Sequence, residues 1–402
     1  MLKTISRIIV GIIFLFSGFV KAVDPVGGAI KISEYLEILG LHNTDQLALY
    51  AAILLSTLEF IIGFQLVVGV KIKKVALPAF LFMAFFTVLT LYIAVFNPVS
   101  DCGCFGDAIK LGNWETFIKN IFILPLSYVI FWKRKAYQTS LSEIKQSVAV
   151  FGGVLFIVGI SYVSIRNLPL LDFRPFKVGV NIPQGMRIPE GSPMAEYETS
   201  FIYEKDGVQK EFDLTNYPQD DSTWVFVDSK STIIKEGYQP PIENFMLETT
   251  DGTDLTAQLL DHAQPVFLMV MPKVEKASLK SIQKFIAIQR MCIQNNYPFY
   301  GVTASLADAI YKFDVAHKAS FEYLNADETL LKTIVRSNPA LVVLNKGTVI
   351  AKYSSHTLPD VEELKQPLSN SLQSLTSWSN KLMLAFWGVI MLIFITALYR
   401  LK

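Results

Sequence analysis

VALPAFLFMAFFTVLTLYIAVFNPVSDCGCFGDAIKLGNWETFIKNIFILPLSYVIFW, Val75 to Trp132, joins two apolar runs through a seven-residue loop, Asp101-Cys102-Gly103-Cys104-Phe105-Gly106-Asp107. Val75 to Phe96 and Trp114 to Trp132 each approach the about 17 to 25 residues that a helix needs to cross a bilayer. The loop holds two of the three cysteines in the chain. A glycine between two cysteines lets the backbone bend until the sulfurs meet, and a ring so small closes under strain and opens easily. Structural cysteines in a packed core seldom take this spacing.

The same reading extends outward. Ile5 to Val23, Leu47 to Val70, Val148 to Ile165 and Leu382 to Leu398 are further apolar runs of spanning length, so six spans are expected. The first could also serve as a signal peptide, but Val20-Lys21-Ala22 is a poor cleavage site and more spans follow at once. Over all 402 residues the composition is 51% hydrophobic and 18% charged, too apolar for an ordinary soluble chain of this size. A net charge of +1 and the lack of a basic stripe with aromatics give no sign of a nucleic-acid partner. Membrane lipid is the partner that the composition calls for.

The basic residues fix an expected sidedness. Lys3 with Arg7, Lys71 to Lys74, Lys133 to Lys135, and Arg400 with Lys402 all fall on one side if the six runs span, and that side is the cytoplasm. Both termini are then cytoplasmic. The loops at 24–46 and 97–113 and the segment 166–380 lie outside, where disulfides persist.

With those residues in view, the first 135 residues resemble the DoxX/MauE family of small four-helix membrane proteins. The resemblance rests on "RIIVGIIFLFSGFVKAVDP", "LEFIIGFQL" and above all "CGCFGD" ahead of a tryptophan-led fourth helix. It implies a bundle with quinone-linked or thiol-linked redox chemistry outside the cytoplasm. MauE-like proteins are linked to maturing a disulfide-rich periplasmic dehydrogenase beside a thioredoxin-like partner. Cys102 and Cys104 are the candidate catalytic thiols, and Glu59, in the middle of the second run, is the candidate proton carrier. An ionised group at that depth costs at least about 2.5 kcal/mol, so Glu59 needs a task or a partner, with Ser17, Gln65 and Lys21 in reach. Lys110 or Lys21 would have to offset Asp101 and Asp107, whose charge disfavours a thiolate. Gly11, Gly18, Gly63 and Gly69 permit close helix packing.

Residues 136–167 read as a connector and fifth span, and 168–239 as a tether with a β-rich segment, including a hairpin turned at Asp206-Gly207. From 240 to 358 the order becomes strand, helix, strand, helix and a closing hairpin turned at Asn345-Lys346-Gly347. The expected fold class is therefore a polytopic helical membrane bundle plus an α/β or α+β soluble domain that resembles thioredoxin. That resemblance implies a four-stranded core with Pro339 cis at the start of the hairpin. Where the family carries Cys-x-x-Cys, this chain has Pro272-Lys273-Val274-Glu275-Lys276-Ala277, so the domain has no exchange chemistry of its own. Residues 359–402 complete the chain as linker and last span. Cys292 shares a helical face with Phe285 and Ile288, as a small buried hydrophobe would. No His or Cys spacing suits a metal.

Two functions stay open. One is a thiol–disulfide oxidoreductase in which Cys102 and Cys104 relay electrons between extracytoplasmic client or thioredoxin-like proteins and a quinone in the bundle, with no covalently bound cofactor. The other is a non-catalytic docking protein whose disulfide braces the loop.

Overall fold

The computed structural model describes residues 1–99, 101–194, 196–219, 221–235 and 237–365, with Gly388, Val389 and Thr396. The chain divides into two compact units, Met1–Val180 with Met246–Lys402, and Asn181–Phe245.

Six helices open the first unit: α1 (Leu2–Val23), α2 (Pro25–Ile38), α3 (Asp45–Val68), α4 (Ile72–Phe96), α5 (Asn113–Trp132) and α6 (Glu143–Asn167). Five of them, α1 and α3 to α6, are long and apolar enough to cross a membrane. The expected sixth run, Leu382 to Leu398, lies outside the described residues. Where a plain loop was expected at 24–46, the chain forms α2. Asp24 caps that helix by accepting a hydrogen bond from the Gly27 N–H at 2.9 Å, and Pro25 sets its first turn.

Glycines bring α1 and α3 into backbone contact. A Cβ on Gly63 would sit 2.2 Å from the Leu15 nitrogen, and one on Gly18 would sit 2.3 Å from the Phe60 nitrogen. Gly11 faces Val67 and Leu66 in the same seam. Gly69 does something else: its φ of +86° ends α3, and α4 starts three residues later. That turn belongs to the basic end of the bundle, where the Lys71 ammonium donates to Ser147 at 2.7 Å and the Lys3 ammonium donates to the Ala136 carbonyl at 3.0 Å.

The second unit is a three-stranded antiparallel sheet, order β2-β1-β3, built from β1 (Glu196–Lys205), β2 (Val208–Asp213) and β3 (Val225–Lys235), with a short helix α7 (Ile182–Met186). Its β1–β2 turn is the expected Asp206-Gly207, both with positive φ. Phe212 anchors an aromatic cluster, its ring 5.1 Å from Trp224 and 5.8 Å from Tyr203.

The rest of the first unit carries a six-stranded sheet of order β4-β7-β6-β5-β8-β9, two strands more than expected. Its strands are β4 (Glu248–Thr249), β5 (Val266–Met271), β6 (Phe299–Thr303), β7 (Tyr323–Asn325), β8 (Ala340–Asn345) and β9 (Thr348–Ser354). β5 and β6 pair in parallel, as their unbroken apolar sequences suggest, and β8 and β9 form the antiparallel hairpin. The strands beyond the expected four are β4, inside residues 242–256, which read as a strand and a glycine turn ahead of the core, and β7, only three residues long and too short to leave a periodic signal. Helices α8 (Thr256–Leu260), α9 (Ile282–Gln294), α10 (Ala307–His317), α11 (Glu328–Ile334) and α12 (Val361–Lys365) complete it. The Asn338–Pro339 bond is cis. Cys292 is fully buried with Phe285 and Ile288 on α9, and burial pushes its thiol up to about 12.

Candidate functional site

The cysteine loop closes on itself before anything else touches it. Asp101 accepts from the Gly103 N–H at 2.8 Å, and Gly103 takes a φ of +66° that a side chain would disfavour. The Gly106 N–H then returns to the Gly103 carbonyl at 3.1 Å. These bends bring the Cys102 and Cys104 sulfurs to 3.2 Å as a thiol–thiol contact.

The two thiols are unequal. The hydrogen bond from Cys102, against the opposing effect of burial and with help from Lys119 and Lys21, holds the Cys104 thiol down to about 6. The same contact, together with burial, pushes Cys102 far up, so Cys104 is the thiol of the two that is favoured as thiolate. Lys119, on α5, lies 4.4 Å from the centre of the Phe105 ring, while Phe16 of α1 holds that ring from the other helix at 5.6 Å. The expected counter-charge Lys110 is exposed instead. Lys119 was legible only as one of several basic residues near a span end, because the α5 turn that aims it at the loop is a tertiary fact.

Below the loop lies Glu59, 4% exposed. The Lys21 ammonium donates to its two oxygens at 2.7 and 3.0 Å. Ser17 Oγ stands 2.7 Å from Glu59 Oε2 and 2.7 Å from the Cys104 carbonyl oxygen, which links the carboxylate to the backbone of the thiol turn. The Lys21–Glu59 pair requires α1 and α3 to be offset in depth. The two helices are so offset: Lys21 lies in the last turn of α1, whereas Glu59 lies well inside α3, whose first-turn Asp45 pairs with Lys276 of the sheet domain. Gln65, the other expected partner, is buried elsewhere on α3.

The loop roofs a cavity of about 1310 Å³. Phe14, Phe82, Met83, Phe86 and Ile123 line its lower part, and Lys21, Glu59 and the thiols its upper part. Met83 lies thirteen residues before the end of α4 at Phe96, so the cavity reaches about 20 Å along that helix from its C-terminal end. On the opposite side it meets the sheet domain at Lys273, Lys276, Arg336 and Asn338, the stretch where no thiol stands. Arg336 pairs with Asp24 and with Asp107, and in the chain it is only a lone arginine before the cis proline.

Residues 1–133 match the family described as Methylamine utilisation protein MauE, and residues 197–236 match a Domain of unknown function (DUF8463). No curated protein matches the chain. Residues 1–133 are thus similar to MauE, and the chain carries five helices long and apolar enough to cross a membrane.

Proposed function

We propose that this chain is a thiol–disulfide oxidoreductase of the bacterial inner membrane, relaying electrons from extracytoplasmic protein thiols to a quinone. The observation that carries the reading is the pair of sulfurs 3.2 Å apart at the roof of an apolar cavity, with Cys104 biased towards thiolate by Lys119 and Lys21. In the oxidised state a client thiolate attacks Cys102 and expels Cys104, the better leaving group because its thiol is the more acidic. The client's second thiolate then attacks its own sulfur in the mixed disulfide and releases Cys102, leaving a client disulfide and a reduced pair. That pair returns to the disulfide as two electrons and two protons pass to a quinone, which becomes a quinol. Glu59, joined through Ser17 to the thiol turn, is the proposed proton carrier for this step.

The gathering of Lys3, Lys71 and Lys133 to Lys135 at the bundle end away from the thiols supports a topology of six spans with cytoplasmic termini, the sheet domain and the thiols sharing the outer compartment. The parallel β5–β6 pair beside the β8–β9 hairpin supports reading 240–358 as a thioredoxin-like domain, and the DoxX-like reading of the bundle rests on its sequence. A thiol-free Pro272 to Ala277 favours docking over exchange for that domain. The test is a Cys104→Ser variant in cells, where Cys102 should accumulate mixed disulfides that name the client. A Cys102–Cys104 pair that stays oxidised whatever the state of the quinone pool, in cells whose disulfide-dependent proteins mature normally with Cys102→Ser, would leave the docking function in its place.

A further inference from the structure

The sheet domain brings no thiol to the cavity, yet it is fastened beside the cysteines through one arginine. Arg336 follows α11, and its side chain is only 8% exposed. Each guanidinium nitrogen is engaged: Nε donates to the two Asp24 oxygens at 3.2 and 2.9 Å, Nη2 to Asp107 at 3.0 Å, and Nη1 to the Lys332 carbonyl at 2.6 Å. The planar fork presents its donors in fixed directions, so it sets the geometry of both carboxylates where a freely rotating ammonium would not. A Cβ on Gly27 would lie 2.8 Å from Nη2 and 2.5 Å from an Asp24 oxygen, so bare backbone leaves the fork its room.

Both acids lead to the thiols. Asp24 ends α1 and caps α2, whose Tyr35 hydroxyl reaches the Cys102 carbonyl at 3.4 Å. Asp107 sits in the short helical turn Gly106–Ala108, whose first N–H bonds to the Gly103 carbonyl between the cysteines. On the other side, Arg336 stands two residues before Asn338, which is tied to the sheet domain. The Asn338 side-chain amide donates to the Lys273 carbonyl at 2.6 Å, and the Asn338 backbone carbonyl accepts from the Ser278 N–H at 2.8 Å.

We propose that the thiol-free sheet domain is a docked scaffold for the cysteine loop, with Arg336 as the positioning residue. By gripping Asp24 and Asp107 at once, it fixes the turn that keeps Cys102 and Cys104 in contact. This rests on the cysteine pair being the working centre, and on nothing about its client or its electron acceptor.

The experiment uses the full chain, reduced and in detergent micelles, as wild type, Arg336→Lys, Arg336→Gln, and Arg336→Gln combined with Asp24→Asn and Asp107→Asn. Hydrogen exchange is followed over 101–108, and alkylation is apportioned between Cys102 and Cys104 by peptide mass. Arg336→Gln should speed exchange over 101–108 by about tenfold or more while α3 and β5 stay protected, and should erase the preference for Cys104. Arg336→Lys should retain part of both. A folded Arg336→Gln protein with the loop exchange and thiol preference of the wild type overturns the proposal. If Arg336→Gln fails to fold around its two unpaired acids, the triple variant decides: an unprotected loop supports the proposal and wild-type protection refutes it. Failure of the relay reading looks different, as a pair that never changes oxidation state in cells although Arg336→Gln still loosens the loop.

Discussion

The acidity of Cys104 is the feature of this site most open to measurement, and Lys119→Met is the perturbation that probes its cause. A thiol at about 6 is about nine-tenths thiolate at pH 7, whereas an ordinary one near 8.5 is about 3% thiolate. That roughly thirtyfold excess does not appear in full as rate. A more acidic thiolate is a weaker nucleophile, and with a Brønsted slope of about 0.4 to 0.5 the net advantage at pH 7 falls to roughly two- to threefold. The midpoint of the pH profile is therefore diagnostic and the raw rate is not. In reduced wild-type protein, iodoacetamide labelling at the Cys104 peptide should rise through pH 6 and level off before pH 8, with Cys102 lagging because it keeps the proton. Removing the Lys119 charge leaves the Cys102 hydrogen bond and Lys21, whose charge Glu59 already engages. The midpoint should then climb by half to one pH unit, about 0.7 to 1.4 kcal/mol. Cys292 provides an internal control, since burial keeps it protonated across the whole range. A wild-type midpoint between 8 and 9, or one that Lys119→Met leaves in place in a folded protein, would refute the electrostatic account.

Two other outcomes follow from the packing. Gly63→Val places its Cβ against the Leu15 backbone, so α1 and α3 must part, with an expected loss of about 1 to 3 kcal/mol in stability and a lower melting temperature by circular dichroism. Where the segment after α6 meets β9, burial alone would raise the Asp172 carboxyl, but Lys352 and Arg174 outweigh it and hold it at about 2. Its contribution of about 2 to 3 kcal/mol is thus complete above the unfolded value near 3.9 and lost as pH falls towards 2. Asp172→Asn leaves buried Arg174 without its carboxylate and Lys352, already brought down to about 8 by burial and by Arg174, with less reason to stay charged. We expect about 3 to 5 kcal/mol of destabilisation at pH 7 and a flatter acid limb, measured by denaturant titration between pH 2 and 7.

Five of the apolar segments, their approximate lengths and the thiol loop between two of them were legible in the chain, because spanning length and Cys-Gly-Cys spacing are local properties. So were β5, β6 and the β8–β9 hairpin, whose apolar runs and Lys346-Gly347 turn are self-contained. The cap of α2 was written in Asp24-Pro25 but is short enough to pass for loop. What joins distant residues was decided by the tertiary structure alone. Glu59 needed α1 and α3 offset in depth and packed closely before Lys21 could reach it, and the close packing depends on glycines whose value lies in what they face. Lys119 stood among other basic residues until α5 turned it over Phe105. Arg336 lies 312 residues from Asp24 and 229 from Asp107, a separation over which no periodicity or propensity carries a signal. A long-range ion pair forms only once packing has brought its partners together and excluded water, so its partners can be read from the fold and not from the chain.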